Sequence, residues 1–188
     1  MSEPLRKNRE VVATSSKTTT IKVWDPIVRL FHWTVVSACV LNLFILEEGH
    51  YWHRVTGYVA AAALAIRILW GFIGTKHARF SDFFPTPMKI WRQISEIMGG
   101  REKRSIGHNP LASVMMLLLM SLLAATCLTG WMMTLDAFWG DKWLQGLHGT
   151  IANSILVLAL IHAVAALLES WRHRENLVWS MVTGRKRA

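Results

Sequence analysis

Four apolar stretches limit what this chain can fold into more than any other feature of its sequence. Each approaches or exceeds the roughly 20 residues that a helix needs to cross about 30 Å of hydrocarbon. The stretches cover residues 27–46, 51–73, 111–134 and 147–168. The positive mean hydropathy of +0.29 is too apolar for an ordinary soluble domain of this size. The pattern predicts an all-α integral membrane protein, a four-helix bundle with up-down-up-down topology.

Positive charge is distributed unevenly around these stretches. Eighteen of the 21 Lys and Arg precede or begin the first stretch, lie between the second and third, or follow the fourth. The two other connections hold only Arg54 and Lys142, and Arg67 lies inside the second stretch. By the positive-inside rule, both termini are predicted to be cytoplasmic, in a cell inner membrane. The net charge of +9 then faces anionic lipid and does not indicate nucleic-acid binding.

The segments outside the spans carry their own predictions. Residues 1–20 are polar and charged, which predicts a disordered cytoplasmic tail, and residues 21–188 are predicted to form a single transmembrane domain. Residues 88–98 have apolar side chains at helical spacing, which predicts an amphipathic helix on the cytoplasmic membrane surface. The last residues, 175–188, are basic and weakly amphipathic, and we expect them at the same interface.

Two histidines share one face of the last apolar stretch. His148 and His162 are 14 residues apart. Fourteen helical steps return to within about 40° of the starting direction while rising about 21 Å. In an up-down-up-down bundle, His32 lies at the cytoplasmic depth of His162, and His53 lies at the outer depth of His148. Each depth is therefore predicted to hold two imidazoles from different helices.

A pair of imidazoles inside a helix bundle suits haem iron better than zinc. Zinc prefers four ligands, whereas iron that already holds four porphyrin nitrogens needs two axial ones. Neither cysteine belongs to a CxxCH motif, so covalent haem attachment is not indicated. We therefore predict two b haems, with His32/His162 and His53/His148 as the iron ligands. The alternative is that neighbouring polar side chains such as Asn42 and Asn153 satisfy the histidines.

Three arginines are candidates for contacting the haem propionates. Arg67 is predicted at the depth of the cytoplasmic histidine pair, where a propionate would neutralise a charge that is expensive in hydrocarbon. Arg29 and Arg54 are each close to a predicted ligand, and they are assigned to the inner and outer haem respectively. For these two, the alternative is that the side chain reaches out to lipid phosphate.

Five motifs between residues 23 and 187 are informative together. They are VWDPIVRLFHW, residues 51–57 leading to AIRILWGFIG, HARFSDF, GHNPLA, and LHGTIANSILVLALIHA. With these motifs the chain resembles the prokaryotic cytochrome b561 family, which also includes the cytochrome b subunits of nickel-iron hydrogenases. The resemblance implies a four-helix membrane cytochrome with two b haems that exchanges electrons with the quinone pool. The family's ligand positions correspond to His32, His53, His148 and His162.

The expected function is electron transfer across the membrane between ubiquinone or menaquinone and an extracytoplasmic redox partner. The outer connections, around residues 47–49 and 135–146, are short, which favours a small cytochrome c-like partner over a large dehydrogenase subunit. His77 and His108 border the cytoplasmic loop, where they can exchange protons with a quinone head group.

Two further functions remain open from the sequence. The first is implied by the resemblance, since some members of that family are superoxide:quinone oxidoreductases, enzymes that take electrons from superoxide at the outer haem. In this chain, Arg54 and Lys142 could attract the anion. The second is a haem-free transporter or assembly subunit whose histidines relay protons. Whether the chain is an enzyme is therefore undecided at this point.

Overall fold

The computed structural model describes residues 20–75, 78–100 and 109–187. The predicted tail up to residue 19, together with His77 and His108, lies outside the described residues. The described part is mostly helical, and four of its helices are long and apolar enough to cross a membrane. They are α1 (Pro26–Phe44), α2 (Tyr51–Ile73), α5 (Pro110–Met132) and α6 (Lys142–Arg172). The prediction of a mostly helical chain with four membrane-crossing helices is confirmed.

Local sequence signals explain where α1 and α5 begin. The Asp25 carboxylate accepts a hydrogen bond of 2.9 Å from the N–H of Val28, and Pro26 follows it at the first helical position. The Asn109 side chain accepts one of 2.7 Å from the N–H of Ala112 in the same way. Each cap accepts a hydrogen bond from an N–H group that has no partner inside its helix. The caps therefore determine the residues at which α1 and α5 begin.

The fourth long helix exceeds the stretch that its apolar residues predict. The expected span is 147–168, whereas α6 is Lys142–Arg172. The added residues at both ends are mostly polar or aromatic, and they continue the helix in regions where hydropathy no longer indicates a span. The extension brings His148 to the second turn of α6, well inside the hydrogen-bonded helix.

The long helices pack in sequence order. Contacts join α1 to α2, α2 to α5, and α5 to α6. The buried cluster between α1, α2 and α5 is made of small and aliphatic side chains, namely Ala38, Ala60, Leu64, Met120 and Leu123. Alanines at two of these positions allow the helices to approach closely.

Three short helices complete the helical part. They are α3 (Phe80–Phe83), α4 (Pro87–Met98) and α7 (Leu177–Thr183), and a single 3-10 turn covers Asp136–Phe138. Helix α4 coincides with the predicted amphipathic segment. Its Met88, Trp91 and Met98 side chains are exposed while Gln93 is buried, so these three apolar side chains face away from the rest of the protein.

A two-stranded antiparallel sheet is the feature that the all-α prediction missed. Strands β1 (Thr20–Lys22) and β2 (Arg185–Arg187) pair with Ile21 opposite Lys186. Gly184, at φ +79°, reverses the chain after α7, and its carbonyl accepts hydrogen bonds from the N–H groups of Val23 and Trp24. We call residues 20–24 together with 184–187 the terminal clasp. Segments of three residues have too short a pattern to predict a strand.

Candidate functional site

His53 and His148 come together from different helices. His53 lies in the first turn of α2 and His148 near the start of α6, and their ring centroids are 6.3 Å apart with the planes tilted by 59°. Two imidazoles that share one metal ion through nitrogen–metal bonds of about 2 Å have centroids about 6 Å apart. The separation of this pair therefore fits two axial ligands on one iron.

Hydrogen bonds fix the side chains and backbone around this pair. The Thr129 hydroxyl of α5 lies 3.0 Å from His148 Nδ1. On the other side, Asn42 Nδ2 of α1 donates to the backbone carbonyl of His53 at 3.4 Å, and Thr56 Oγ1 donates to Asn42 Oδ1. The Asn42 amide is thus engaged with backbone and hydroxyl groups.

His53 Nδ1 is buried without a hydrogen-bond partner. Asn153, the other amide considered as a partner for the histidines, is exposed on α6. Neither amide therefore satisfies a histidine ring in the way that the alternative interpretation requires.

His32 and His162 are the second predicted pair. They lie on α1 and α6 and are close enough to interact electrostatically. Both are partly buried, and His32 packs edge-on against Trp33 with ring centroids 5.2 Å apart. His32 Nδ1 is buried without a hydrogen-bond partner. A buried imidazole without a protein partner is the kind of polar group that a bound cofactor can satisfy.

Arg67 is the buried cation of this region. Its side chain is 1% exposed, and both Nη1 and Nη2 are buried without a hydrogen-bond partner. The guanidinium carbon lies 5.3 Å from the centre of the Phe80 ring, and Asp25 is the acidic group that interacts with it electrostatically. Gly71 makes this arrangement possible, because a Cβ at that position would collide with the Phe80 ring.

Asp25 remains ionised beside this cation. Burial raises the pKa of the Asp25 carboxyl, but hydrogen bonds from Trp70 Nε1, the Val28 N–H and Thr75 Oγ1 outweigh it and lower the pKa below its ordinary value. The Trp70 and Thr75 bonds are 2.8 and 2.7 Å long, and both end on Oδ2. Asp25 therefore ties the start of α1 to the end of α2 and supplies negative charge near Arg67.

The two other candidate arginines differ in their surroundings. Arg29 is partly buried next to the terminal clasp, and its Nε is buried without a hydrogen-bond partner. Arg54 is exposed at the start of α2, so the structure does not bring it into a buried site. Arg29 thus lies in a partly buried region beside the terminal clasp, whereas the Arg54 side chain can reach solvent or lipid.

The remaining histidines and the cysteines stand apart from these pairs. His50 Nε2 lies 3.1 Å from a Glu47 carboxylate oxygen and is exposed, while His173 Nε2 lies 3.0 Å from a Glu169 oxygen at the end of α6. Cys39 and Cys127 are free thiols inside the long helices.

Ligand-type side chains of the described residues do not gather in larger groups. No three His, Cys, Asp or Glu side chains in residues 20–75, 78–100 and 109–187 are arranged to hold a metal ion. The two neighbouring imidazoles of His53 and His148 match an iron that needs only two protein ligands.

Thr129 is the site residue that sequence reasoning missed. It occupies a helix that carries no histidine in its span, and its contact with His148 joins residues 19 apart in the chain. The only sequence signal is a hydroxyl next to Gly130 near the C-terminal end of α5, and such a pair is common in helices for packing reasons alone.

The chain is similar to known proteins over most of its length. Residues 23–184 match the family described as prokaryotic cytochrome b561. A probable Ni/Fe-hydrogenase B-type cytochrome subunit of Rhodobacter capsulatus is 24% identical, over 95% of this chain and 86% of its own length. The protein of the same description from Bradyrhizobium diazoefficiens is 23% identical, over 89% of this chain and 86% of its length.

A third relative has a different name. Cytochrome b562 of Cereibacter sphaeroides is 28% identical, over 82% of this chain and 91% of its own length. No solved structure matches significantly. The match to the family covers most of the sequence and rules out the haem-free alternative. The chain belongs to the prokaryotic cytochrome b561 family, and it is a haem-binding electron-transport protein of a membrane.

Proposed function

We propose that this chain is a di-haem b-type cytochrome that transfers electrons across the membrane between the quinone pool and an extracytoplasmic redox partner. The observation that carries the proposal is the pairing of histidines at two levels of one helix. Helix α6 contributes His148 to one pair and His162 to the other, 14 residues and about 21 Å of helix apart. One pair alone would support a single redox centre, whereas two make a path across the bilayer.

The topology that this path needs is up-down-up-down, with both termini cytoplasmic in the inner membrane. The contacts at helix ends support it. Asp25 before α1 bonds to Trp70 near the end of α2, and Asn42 near the end of α1 bonds to His53 at the start of α2. Thr129 near the end of α5 contacts His148 near the start of α6. Each of these contacts joins the end of one helix to the start of its neighbour, as the proposed antiparallel packing of α1 with α2 and of α5 with α6 requires.

His32 and His162 would hold the inner haem, and His53 and His148 the outer one. When bound, each haem supplies an iron that accepts and releases one electron. The protein's own contribution is to fix the imidazoles, keep water away and balance charge. Arg67 serves the last purpose, because its two unpartnered guanidinium nitrogens can each donate a hydrogen bond to a propionate. Arg29 has a similar role at the clasp, and Arg54 has it at the outer surface.

The quinone is proposed to exchange electrons with the inner haem, and the partner with the outer one. His77 and His108 remain the predicted proton carriers at the quinone. The names of the relatives favour a Ni/Fe-hydrogenase as the partner, whereas the short outer connections favour a small cytochrome c-like protein. The hydrogenase is the stronger candidate, because the relatives align over most of their length with this chain.

Haem content of histidine variants tests the ligand assignment. We expect two haems per chain in the wild type and one in each of His148→Ala, His53→Ala, His162→Ala and His32→Ala, measured as haem per purified chain. The matched controls are His50→Ala and His173→Ala, which remove histidines that face glutamates outside the pairs. Retention of both haems by His148→Ala or His162→Ala, with unchanged helicity, would refute the assignment.

Electron donors then distinguish the cytochrome from the enzyme. The oxidised protein is mixed with quinol or pulsed with superoxide while its haem absorbance is followed. Reduction by quinol alone is expected of an electron path to a partner. Rapid reduction by superoxide, followed by reoxidation with quinone, would instead identify a superoxide:quinone oxidoreductase, with the exposed Arg54 and Lys142 near its outer entrance.

A further inference from the structure

We propose that Thr129 is a positioning residue for the outer haem, because its hydroxyl accepts a hydrogen bond from His148 Nδ1–H and so leaves His148 Nε2 free to bind iron. This inference rests on the proposed function, in which His148 is a haem ligand. It gives helix α5, which brings no ligand of its own, a part in the electron path.

The direction of the hydrogen bond follows from counting protons. A threonine hydroxyl has one hydrogen to donate. Thr129 Oγ1 lies 2.8 Å from the Ala125 carbonyl and 3.1 Å from the Thr126 carbonyl, and both of these groups can only accept. The Thr129 proton is therefore used within α5, and the oxygen faces His148 Nδ1, 3.0 Å away, as an acceptor.

The histidine nitrogen must then be the donor. Since the Thr129 oxygen accepts, the nitrogen that faces it, His148 Nδ1, carries the proton. A neutral imidazole has only one N–H, and the other nitrogen then has a free lone pair. For His148 this nitrogen is Nε2.

The contact between Thr129 and His148 is closely packed and shielded from water. Thr129 is 6% exposed, so water competes little for its hydroxyl. A Cβ at Gly130 would lie 3.2 Å from His148 Cε1 and 3.7 Å from Nδ1, which means that the ring packs directly on the backbone of α5. Thr129 and Gly130 together form a seat that sets both the tautomer and the orientation of this imidazole.

The seat distinguishes His148 from His53 and His32. The Nδ1 atoms of His53 and His32 are both buried without a hydrogen-bond partner, whereas His148 Nδ1 has one. A hydrogen-bond acceptor on the far nitrogen of a ligating histidine raises the basicity of the ligand. A more basic ligand favours the ferric state, so Thr129 is expected to lower the reduction potential of the outer haem.

Redox titration of haem-loaded variants tests this role. Thr129→Val removes the hydroxyl and keeps the shape, Thr129→Ser keeps the hydroxyl, and Thr126→Val removes a hydroxyl that instead donates to the Leu122 carbonyl. In Thr129→Val we expect the reduction equilibrium of the outer haem to shift several-fold towards the ferrous state, with 59 mV for each tenfold change. Thr129→Ser and Thr126→Val should resemble the wild type, and the inner haem serves as the reference in every variant.

The outcomes separate hydrogen bonding from packing. Loss of the outer haem from Thr129→Val, with retention in Thr129→Ser and Thr126→Val, also supports the positioning role. An unmoved potential in Thr129→Val, or an equal shift in Thr126→Val or Thr129→Ser, overturns it while leaving the two haems in place. Wild-type protein without haem at the His53/His148 pair would refute the proposed function and this inference together.

Discussion

At the scale of single residues, Arg67 is the buried side chain that most needs a further hydrogen-bond partner. A buried guanidinium costs free energy unless it is paired and hydrogen-bonded. The Phe80 ring and the negative charge of Asp25 stabilise it in part, yet two of its nitrogens have no hydrogen-bond partner. A carboxylate delivered with the cofactor would supply the hydrogen-bond acceptor that these two nitrogens lack.

Replacement of Arg67 by Gln should make the inner haem harder to reduce. A positive charge near the iron favours the ferrous state, and a unit charge at roughly 10 Å in a dielectric of about 20 contributes about 1.7 kcal/mol, or roughly tenfold in the equilibrium. We expect a shift of about threefold to tenfold towards the ferric state in a redox titration. The matched control is Arg54→Gln, whose exposed side chain should leave the inner haem unchanged. An inner haem that is unaffected by Arg67→Gln would remove Arg67 from the site.

At the scale of elements, the terminal clasp joins the two ends of the chain beside the start of α1. Lys186 is only 7% exposed, and its Nζ lies 5.6 Å from the centre of the Trp24 ring. Trp33 Nε1 donates to the Met181 carbonyl, so α7 is also fastened to α1. The clasp therefore holds the region around Arg29 and His32 through contacts that are far apart in sequence.

Gly184→Ala should loosen the clasp. Gly184 has φ +79°, and a Cβ there would lie 2.7 Å from both Arg29 Nη1 and the Trp24 carbonyl. Left-handed backbone in a non-glycine residue costs about 1–3 kcal/mol, and the collision adds to it. Gly140→Ala is the matched control, because it has φ +82° with nothing within 4 Å of its Cβ. Thermal unfolding in detergent should show a larger decrease in melting temperature for Gly184→Ala than for Gly140→Ala. Equal decreases would mean that packing around Gly184 in the clasp does not contribute to stability.

At the scale of the whole molecule, the clasp and the charge distribution lead to the same orientation. Strands β1 and β2 lie before the first long helix and after the last one, and they pair directly. In the proposed topology, this pairing places both ends of the four-helix bundle on one side of the membrane. The excess of Lys and Arg in the flanking segments predicts that this side is the cytoplasmic one.

Reporter fusions can check this orientation. A fluorescent protein fused after residue 188 should be fluorescent, and alkaline phosphatase inserted at Gly140 should be active, because each reporter works only on the side predicted for it. Gly140 is suitable since it is exposed and its surroundings are open. Phosphatase activity at the C-terminus together with an inactive insertion at Gly140 would reverse the topology.

Much of this protein is determined by sequence that acts locally. Apolar stretches of sufficient length become the long helices, and Asp25 and Asn109 cap two of them through bonds to residues three positions later. The register of His148 and His162 on α6 follows from helical geometry alone, because both residues lie in one continuous helix. Features that depend on residues close together in the chain can therefore be predicted from the sequence.

Only the tertiary structure decided which groups meet across helices. The 6.3 Å between the His53 and His148 rings, the seat that Thr129 and Gly130 form, and the unpartnered nitrogens of Arg67 all depend on how α2, α5 and α6 pack. The pairing of β1 with β2 is of the same kind, because two strands of three residues gain their stability from each other and from α7. Such contacts join residues far apart in the chain, and neither local propensity nor periodicity predicts the distance between those residues.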